Sequence, residues 1–154
     1  DDVVVFRTPP LSEPVTIAGP IRVRLYGSTD APDTDFTAKL IDEYPASEAF
    51  PSGFALNLTD SICRGRYRNY RTEPDLLDPG EVYEFELELY PTANVFTPGH
   101  RIRLDISSSN YPRYDRNHNT GGDLYGDREH AVATNTLYHE ADHPTHVELP
   151  IRPE

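Results

Sequence analysis

Val82-Tyr83-Glu84-Phe85-Glu86-Leu87-Glu88-Leu89 is the stretch on which the fold of this chain turns. Tyr83, Phe85, Leu87 and Leu89 fall on one side of an extended backbone, and Glu84, Glu86 and Glu88 on the other. Successive side chains of a strand point to opposite faces, so this period of two describes a strand with one buried face and one in water. The pattern repeats outward in both directions. Ile21, Val23 and Leu25 alternate with Arg22, Arg24 and Tyr26; Phe36, Ala38 and Leu40 with Thr37 and Lys39; Ile102, Leu104 and Ile106 with Arg101, Arg103 and Asp105. Val147, Leu149 and Ile151 close the chain, and Val3 to Phe6 open it as a short apolar strand.

Between these runs lies turn chemistry. Pro9-Pro10, Gly19-Pro20, Asp30-Ala31-Pro32-Asp33, Asp78-Pro79-Gly80 and Thr97-Pro98-Gly99 each predict a reversal. In a Pro-Gly pair the proline presets its own φ and glycine accepts the positive φ that follows, as a type II turn requires. The 15 prolines break helices and cannot donate to a sheet ladder, which favours many short strands. No sustained helical period occurs. Eight to ten half-buried strands predict an all-β, two-sheet sandwich, and a jelly roll suits the chain better than an immunoglobulin topology, whose Cys…Trp…Cys pattern is absent. Residues 1–154 read as one domain without repeats, of a length that suits one core. The chain contains no methionine, which leads us to expect a segment of a longer protein.

The formal net charge is −12, and the lone lysine is Lys39. Such a field repels phosphate backbones and anionic lipid surfaces, so neither nucleic acid nor membrane is an expected partner. No apolar run approaches the roughly 18 residues of a membrane span, and a soluble chain is expected, with the cytoplasm the favoured location. Cys63 is the single cysteine, so no intrachain disulfide is available; between Ile62 and Arg64 it reads as a small buried hydrophobe.

Four stretches carry a family resemblance. They are Gly27-Ser28-Thr29-Asp30-Ala31-Pro32-Asp33-Thr34-Asp35-Phe36-Thr37-Ala38-Lys39-Leu40, Leu56-Asn57-Leu58-Thr59-Asp60-Ser61-Ile62-Cys63-Arg64-Gly65-Arg66-Tyr67-Arg68, Tyr90-Pro91-Thr92-Ala93-Asn94-Val95-Phe96 through Pro98-Gly99-His100-Arg101-Ile102-Arg103, and Ser107-Ser108-Ser109-Asn110-Tyr111-Pro112-Arg113-Tyr114-Asp115-Arg116-Asn117. In order and spacing they resemble the C-terminal domain of the X-Pro dipeptidyl-peptidase, cocaine esterase and α-amino-acid ester hydrolase family of serine hydrolases. The resemblance implies a jelly roll related to galactose-binding folds, placed after an α/β-hydrolase domain and its cap. It further implies that nucleophile, acid and histidine belong to that upstream part, and that this chain is a non-catalytic accessory domain packing on it and stabilising it. Two departures are the long, Phe/Pro-rich stretch Pro45 to Phe54, and Ser61, where the family often has glycine.

Other constellations give less. An acyl-transfer serine needs a strained Gly-x-Ser-x-Gly elbow with a histidine and a carboxylate. Ser107 to Ser109 have no flanking glycine, and His100 is near them only in sequence, so no catalytic residue is expected. Asp115, Asn117 and Asn119, with Asp123 and Asp127, offer oxygen donors for calcium, but Thr120 stands where an EF-hand has glycine and Gly126 where it has glutamate. Asx turns are the preferred reading. His139, His143 and His146 would need helical spacing to share a zinc ion, and Pro144 interrupts them. No cofactor and no metal are expected.

Arg64-Gly65-Arg66-Tyr67-Arg68-Asn69-Tyr70-Arg71 is the one basic, aromatic patch, and as a strand it would carry Arg64, Arg66 and Arg68 on a single face. With the long, Asn/Asp/Gly/Tyr-rich segment from Ser107 to Asn135 it predicts a docking surface. The candidate interdomain interface comprises Arg64, Arg66, Arg68, Tyr67, Asn110, Tyr111, Arg113 and Tyr114, since Arg and Tyr are favoured at interface hot spots. Its partners would be the upstream hydrolase and cap domains, or further copies of the chain. An alternative reading is an independent carbohydrate-binding jelly roll using Tyr111, Tyr114 and Tyr125 as sugar platforms.

Overall fold

Residues 2–70 and 72–153 are described by the computed structural model. Within them lie eight strands: β1 (Val3–Arg7), β2 (Val15–Thr29), β3 (Asp35–Tyr44), β4 (Phe54–Arg64), β5 (Tyr83–Phe96), β6 (Arg101–Ser107), β7 (Asn135–Tyr138) and β8 (His146–Glu148). One sheet runs β1-β6-β3-β4; the other runs β5-β2-β7, with β8 also pairing β2. Every pairing is antiparallel. The result is the expected all-β sandwich of jelly-roll type.

The core forms where the inner faces of the two sheets meet. Ile21, Val23 and Leu25 of β2 lie opposite Leu89, Leu87 and Phe85 of β5, and all are buried. Phe36, Ala38 and Leu40 of β3 and Leu104 and Ile106 of β6 close on them from the other sheet, with the Phe36 and Phe85 rings 4.7 Å apart. The period-two positions therefore did place the core. Gly80 and Gly99 have φ values of 88° and 86°, as the two Pro-Gly turns require.

One expectation changes. Gly19-Pro20 does not reverse the chain: β2 continues through it, with a shift in register between Gly19 and Ile21. Proline has no N–H for the ladder, and Gly19 at φ 141° lets the strand bulge around it. The opening strand forms, but it takes the edge position beyond β6, so Val3, Val4 and Val5 remain exposed. Ser61 sits inside β4 opposite Ala38, where no turn is needed. The stretch after Tyr44 is a hairpin connection fixed by the Ser47 hydroxyl on the Phe50 N–H (3.1 Å), with the Phe50 and Phe54 rings stacked at 4.9 Å. No helix among the described residues is long and apolar enough to cross a membrane.

Candidate interdomain interface

The site begins at a glycine. Strand geometry ends at Arg64, because Gly65–Tyr67 forms a single 3₁₀ turn closed by the Arg68 N–H on the Gly65 carbonyl (3.2 Å). A Cβ on Gly65 would stand 2.8 Å from both Leu77 Cδ1 and the Thr34 carbonyl oxygen, so no side chain fits there. The Gly65 N–H donates to that same carbonyl at 2.7 Å. The single-face stripe of Arg64, Arg66 and Arg68 is thus corrected: the turn rotates the second arginine into the molecule. Arg71, the end of that basic stretch, lies outside the described residues.

Each arginine meets an aspartate of this domain. Arg66 donates from Nε to Asp33 Oδ2 (2.8 Å), from its backbone N–H to Asp33 Oδ1 (2.9 Å), and from Nη1 to the Gly122 carbonyl (2.8 Å). Its side chain is 8% exposed and that of Asp33 is 0% exposed. Arg64 donates from Nε to Asp35 Oδ1 (3.2 Å) and from Nη2 to Asp35 Oδ2 (3.3 Å) and the Asp115 carbonyl (3.2 Å). Asn117 Nδ2 joins the two pairs, lying 2.8 Å from Asp33 Oδ2 and from Asp35 Oδ1. Arg68 reaches Asp75 Oδ2 at 2.9 Å while its guanidinium lies 4.3 Å over the Tyr83 ring.

The electrostatics follow from burial. Desolvation pushes the Asp35 carboxyl above its ordinary range, opposed by the charge of Arg64 and by the hydrogen bonds from Asn117 and Arg64. Burial also raises the neighbouring Cys63 thiol to about 11, with the Asp35 charge adding to it, so it is a thiol and no nucleophile near neutral pH.

The long connection, 108–134, is pinned to the sandwich by this knot through Asp115, Asn117 and Gly122. Arg113 forms an ion pair with Asp60 of β4 at 2.6 Å, near the Tyr90 and Tyr114 rings. The Asn110 carbonyl accepts the N–H groups of Arg113 and Tyr114. Close by, at the open edge between β4 and β5, lies a polar groove of about 530 Å³ lined by Ile62, Arg64, Tyr67, Arg68, Glu88 and Tyr90, among others. Of the predicted interface residues, Arg64, Tyr67 and Arg68 line this groove, and Arg113 approaches it through Tyr90. Arg66 faces inward, and Tyr111 lies under Arg116 in a separate hollow.

Tyr90 and the acidic wall of the groove were missed by sequence reading, as were Asp33, Asp35 and Asn117. A signal existed for the aspartates: Asp33-x-Asp35 and Arg64-x-Arg66 share a spacing of two, and an antiparallel β3–β4 pair sets Asp35 opposite Arg64. Without the register, the aspartates read as turn residues.

The remaining constellations resolve locally. His100 Nδ1 lies 2.8 Å from the buried Asp42 at one end of β6, while Ser107, at the other end, shares a 2.7 Å hydrogen bond with Thr37. The Asn117 and Asp123 side chains accept the N–H groups of Asn119 and Tyr125, which are Asx turns. His139 packs on Phe6, His143 on Tyr26 and Tyr138, and His146 bonds the Pro144 carbonyl. Among the described residues no group of three or more His, Cys, Asp or Glu side chains is arranged to hold a metal.

Fold and site together define an all-β sandwich domain with a long loop tied down beside an open sheet edge. The chain belongs to the X-Pro dipeptidyl-peptidase C-terminal non-catalytic domain family, whose model matches residues 1–148. It is 45% identical over 153 residues to the cocaine esterase of Rhodococcus sp. (strain MB1 Bresler), covering 98% of this chain and 26% of that protein. Among solved structures it is similar to an α-amino acid ester hydrolase (TM-score 0.92, 36% identity, 98% of this chain and 26% of that one). It is equally similar to an aminopeptidase from a marine sediment archaeon, Thaumarchaeota archaeon (TM-score 0.91, 35% identity, 99% and 26%). The chain therefore spans about a quarter of the length of these relatives.

Proposed function

We propose that this domain packs on and steadies an α/β-hydrolase portion of the same polypeptide, and that the β4–β5 edge with the 110–114 segment is where it docks. The parent would be a serine esterase or peptidase, since the relatives of which it forms 26% are an esterase, an ester hydrolase and an aminopeptidase. One observation carries the reading. The buried knot ties the long loop and the β4 wall of the groove to the sandwich before any partner arrives, and a preorganised surface loses little conformational entropy on docking. Within that edge Tyr90 is 62% exposed, a large ring offered to a partner, with Arg113 beside it.

Thermal melts of Tyr90→Ala in the isolated chain and in the full-length parent test this. An exposed residue costs within about 0.5 kcal/mol when truncated, whereas a docked aromatic anchor costs more than about 1 kcal/mol. The isolated chain should melt unchanged and the parent several degrees lower. Equal shifts in both would place the partner elsewhere.

A further inference from the structure

Within the long loop itself, a hollow of about 400 Å³ is lined by Tyr111, Asp115, Arg116, His118, Tyr125 and His130, with Leu124. The two arms of the loop that form it are tied together: Ala131 N–H donates to the His118 carbonyl (2.9 Å) and Asn119 Nδ2 to the Ala131 carbonyl (2.9 Å). Tyr125 is 84% exposed and stands on a turn fixed by its own N–H on Asp123 Oδ1 (3.0 Å). Tyr111 is 60% exposed and lies 4.5 Å beneath the Arg116 guanidinium. A guanidinium held over a ring face by cation–π attraction still has N–H groups with which to donate.

We infer that this hollow binds a neutral pyranose sugar. Three features select that class. The exposed Tyr125 ring offers an apolar face that suits the C–H face of a sugar ring. Asp115 and Arg116 stand side by side, one an acceptor and one a donor, and adjacent ring hydroxyls need both. Their formal charges cancel, so the lining residues themselves favour neither an anion nor a cation. The site does not depend on docking at the β4–β5 edge, because its lining residues are not those of the groove.

The test is a titration of the isotopically labelled chain with methyl α-glucoside and methyl α-galactoside, followed by amide chemical shifts. Mannitol serves as an acyclic polyol without a flat face, and benzoate as a charged aromatic. The expected result is saturable, millimolar-range shifts at His118, Leu124 and Tyr125 for at least one pyranoside. Tyr125→Ala should weaken binding about tenfold, Tyr125→Phe should retain it, and Asp115→Asn should weaken it. Absence of saturable shifts with both pyranosides overturns the inference. So do equal shifts with mannitol, tighter binding of benzoate, or unchanged affinity in Tyr125→Ala.

Discussion

Arginines 22 and 24 on β2 and arginines 64 and 66 at the end of β4 and just past it are both spaced by two and both face carboxylates, yet they live in different physical regimes. On the open face of the second sheet, Arg22 lies 3.3 Å from Glu86, 3.7 Å from Glu88 and 3.8 Å from Glu148, with 42% of its side chain in solvent. Arg24 contacts Glu84, Glu86 and Glu148 in the same way. These contacts are screened, and each long side chain gives up rotamer freedom to make them. Behind the 3₁₀ turn, Arg66 and Asp33 have almost no water, and every interaction they lack in solvent must come from the protein. An exposed ladder tunes surface charge. A buried knot decides where a whole loop sits.

The comparison breaks first at Arg66. Replacing it with methionine leaves Asp33 charged, desolvated and without the one cationic donor among its three; the backbone N–H of residue 66 and Asn117 Nδ2 remain. Equilibrium urea unfolding should show a loss of about 3–5 kcal/mol. The double variant Arg66→Met/Asp33→Leu removes the orphaned charge and should recover part of that loss. Additive losses would mean that the aspartate is solvated by water entering from the loop, which would put the knot on a level with the ladder.

Next in size is Gly65→Ala. The two 2.8 Å approaches involve a packed leucine methyl and a backbone carbonyl, and a carbonyl can yield only if the β3–β4 pairing moves. Overpacking of this kind costs roughly 1–3 kcal/mol. Amide exchange in 108–134 should accelerate with it, because the turn carries Arg66 to its partners. A fall in stability that leaves exchange in the loop unchanged would uncouple turn from loop.

How much of this was legible follows from the same contrast. Period-two alternation reports which side of a strand meets the core, and Leu87 or Val23 could be placed from it without any structure. It presumes that the chain stays extended. Past Arg64 it does not, and one glycine wedged against Thr34 turned a supposed cationic stripe into a buried network. Asp33 misled for a related reason. Its neighbours Asp30, Ala31 and Pro32 spell a surface turn, yet burial at 0% is decided by Arg66, 33 residues away. Likewise Gly19-Pro20 has the composition of a reversal and the role of a bulge, because the strand it interrupts is long enough to pair on both sides. Local chemistry names what a segment can do; distant partners choose among those options.

Acid pH sharpens the contrast inside the aspartates themselves. Asp35 is raised by desolvation, so its carboxylate weighs against the folded state once ionised; this cost is relieved as pH falls through its folded value. Asp30 is lowered by its hydrogen bonds from Thr134, and its contribution is present above the ordinary aspartate range and lost as pH falls. Relative to wild type, Asp35→Asn should therefore compare worse as the pH is lowered from neutrality, and Asp30→Asn better. Urea midpoints across that range check both signs, and parallel curves for the two variants would remove the distinction.

The smallest effect belongs to the ladder, and there the sign is more informative than the size. Carboxylates outnumber guanidiniums on this face, with Glu84, Glu86, Glu88 and Glu148 around Arg22 and Arg24. Arg22 Nε comes within 3.3 Å of Glu86 without the alignment of a hydrogen bond, so the attraction is mostly that of charges in water. Arg22→Gln should cost under about 1 kcal/mol, and molar salt should erase most of it by shrinking the Debye length to about 3 Å. Glu88→Gln removes one of the like charges that Arg22 offsets, and should be neutral or slightly stabilising at low salt. The knot predicts the opposite on both counts: Arg66→Met should lose nearly as much in molar salt as in dilute buffer, because no counterion reaches Asp33. Salt titration of the two variants side by side measures the difference between the regimes. A salt-sensitive loss at Arg66 would show that the knot opens to solvent and that the loop above it is not held before docking.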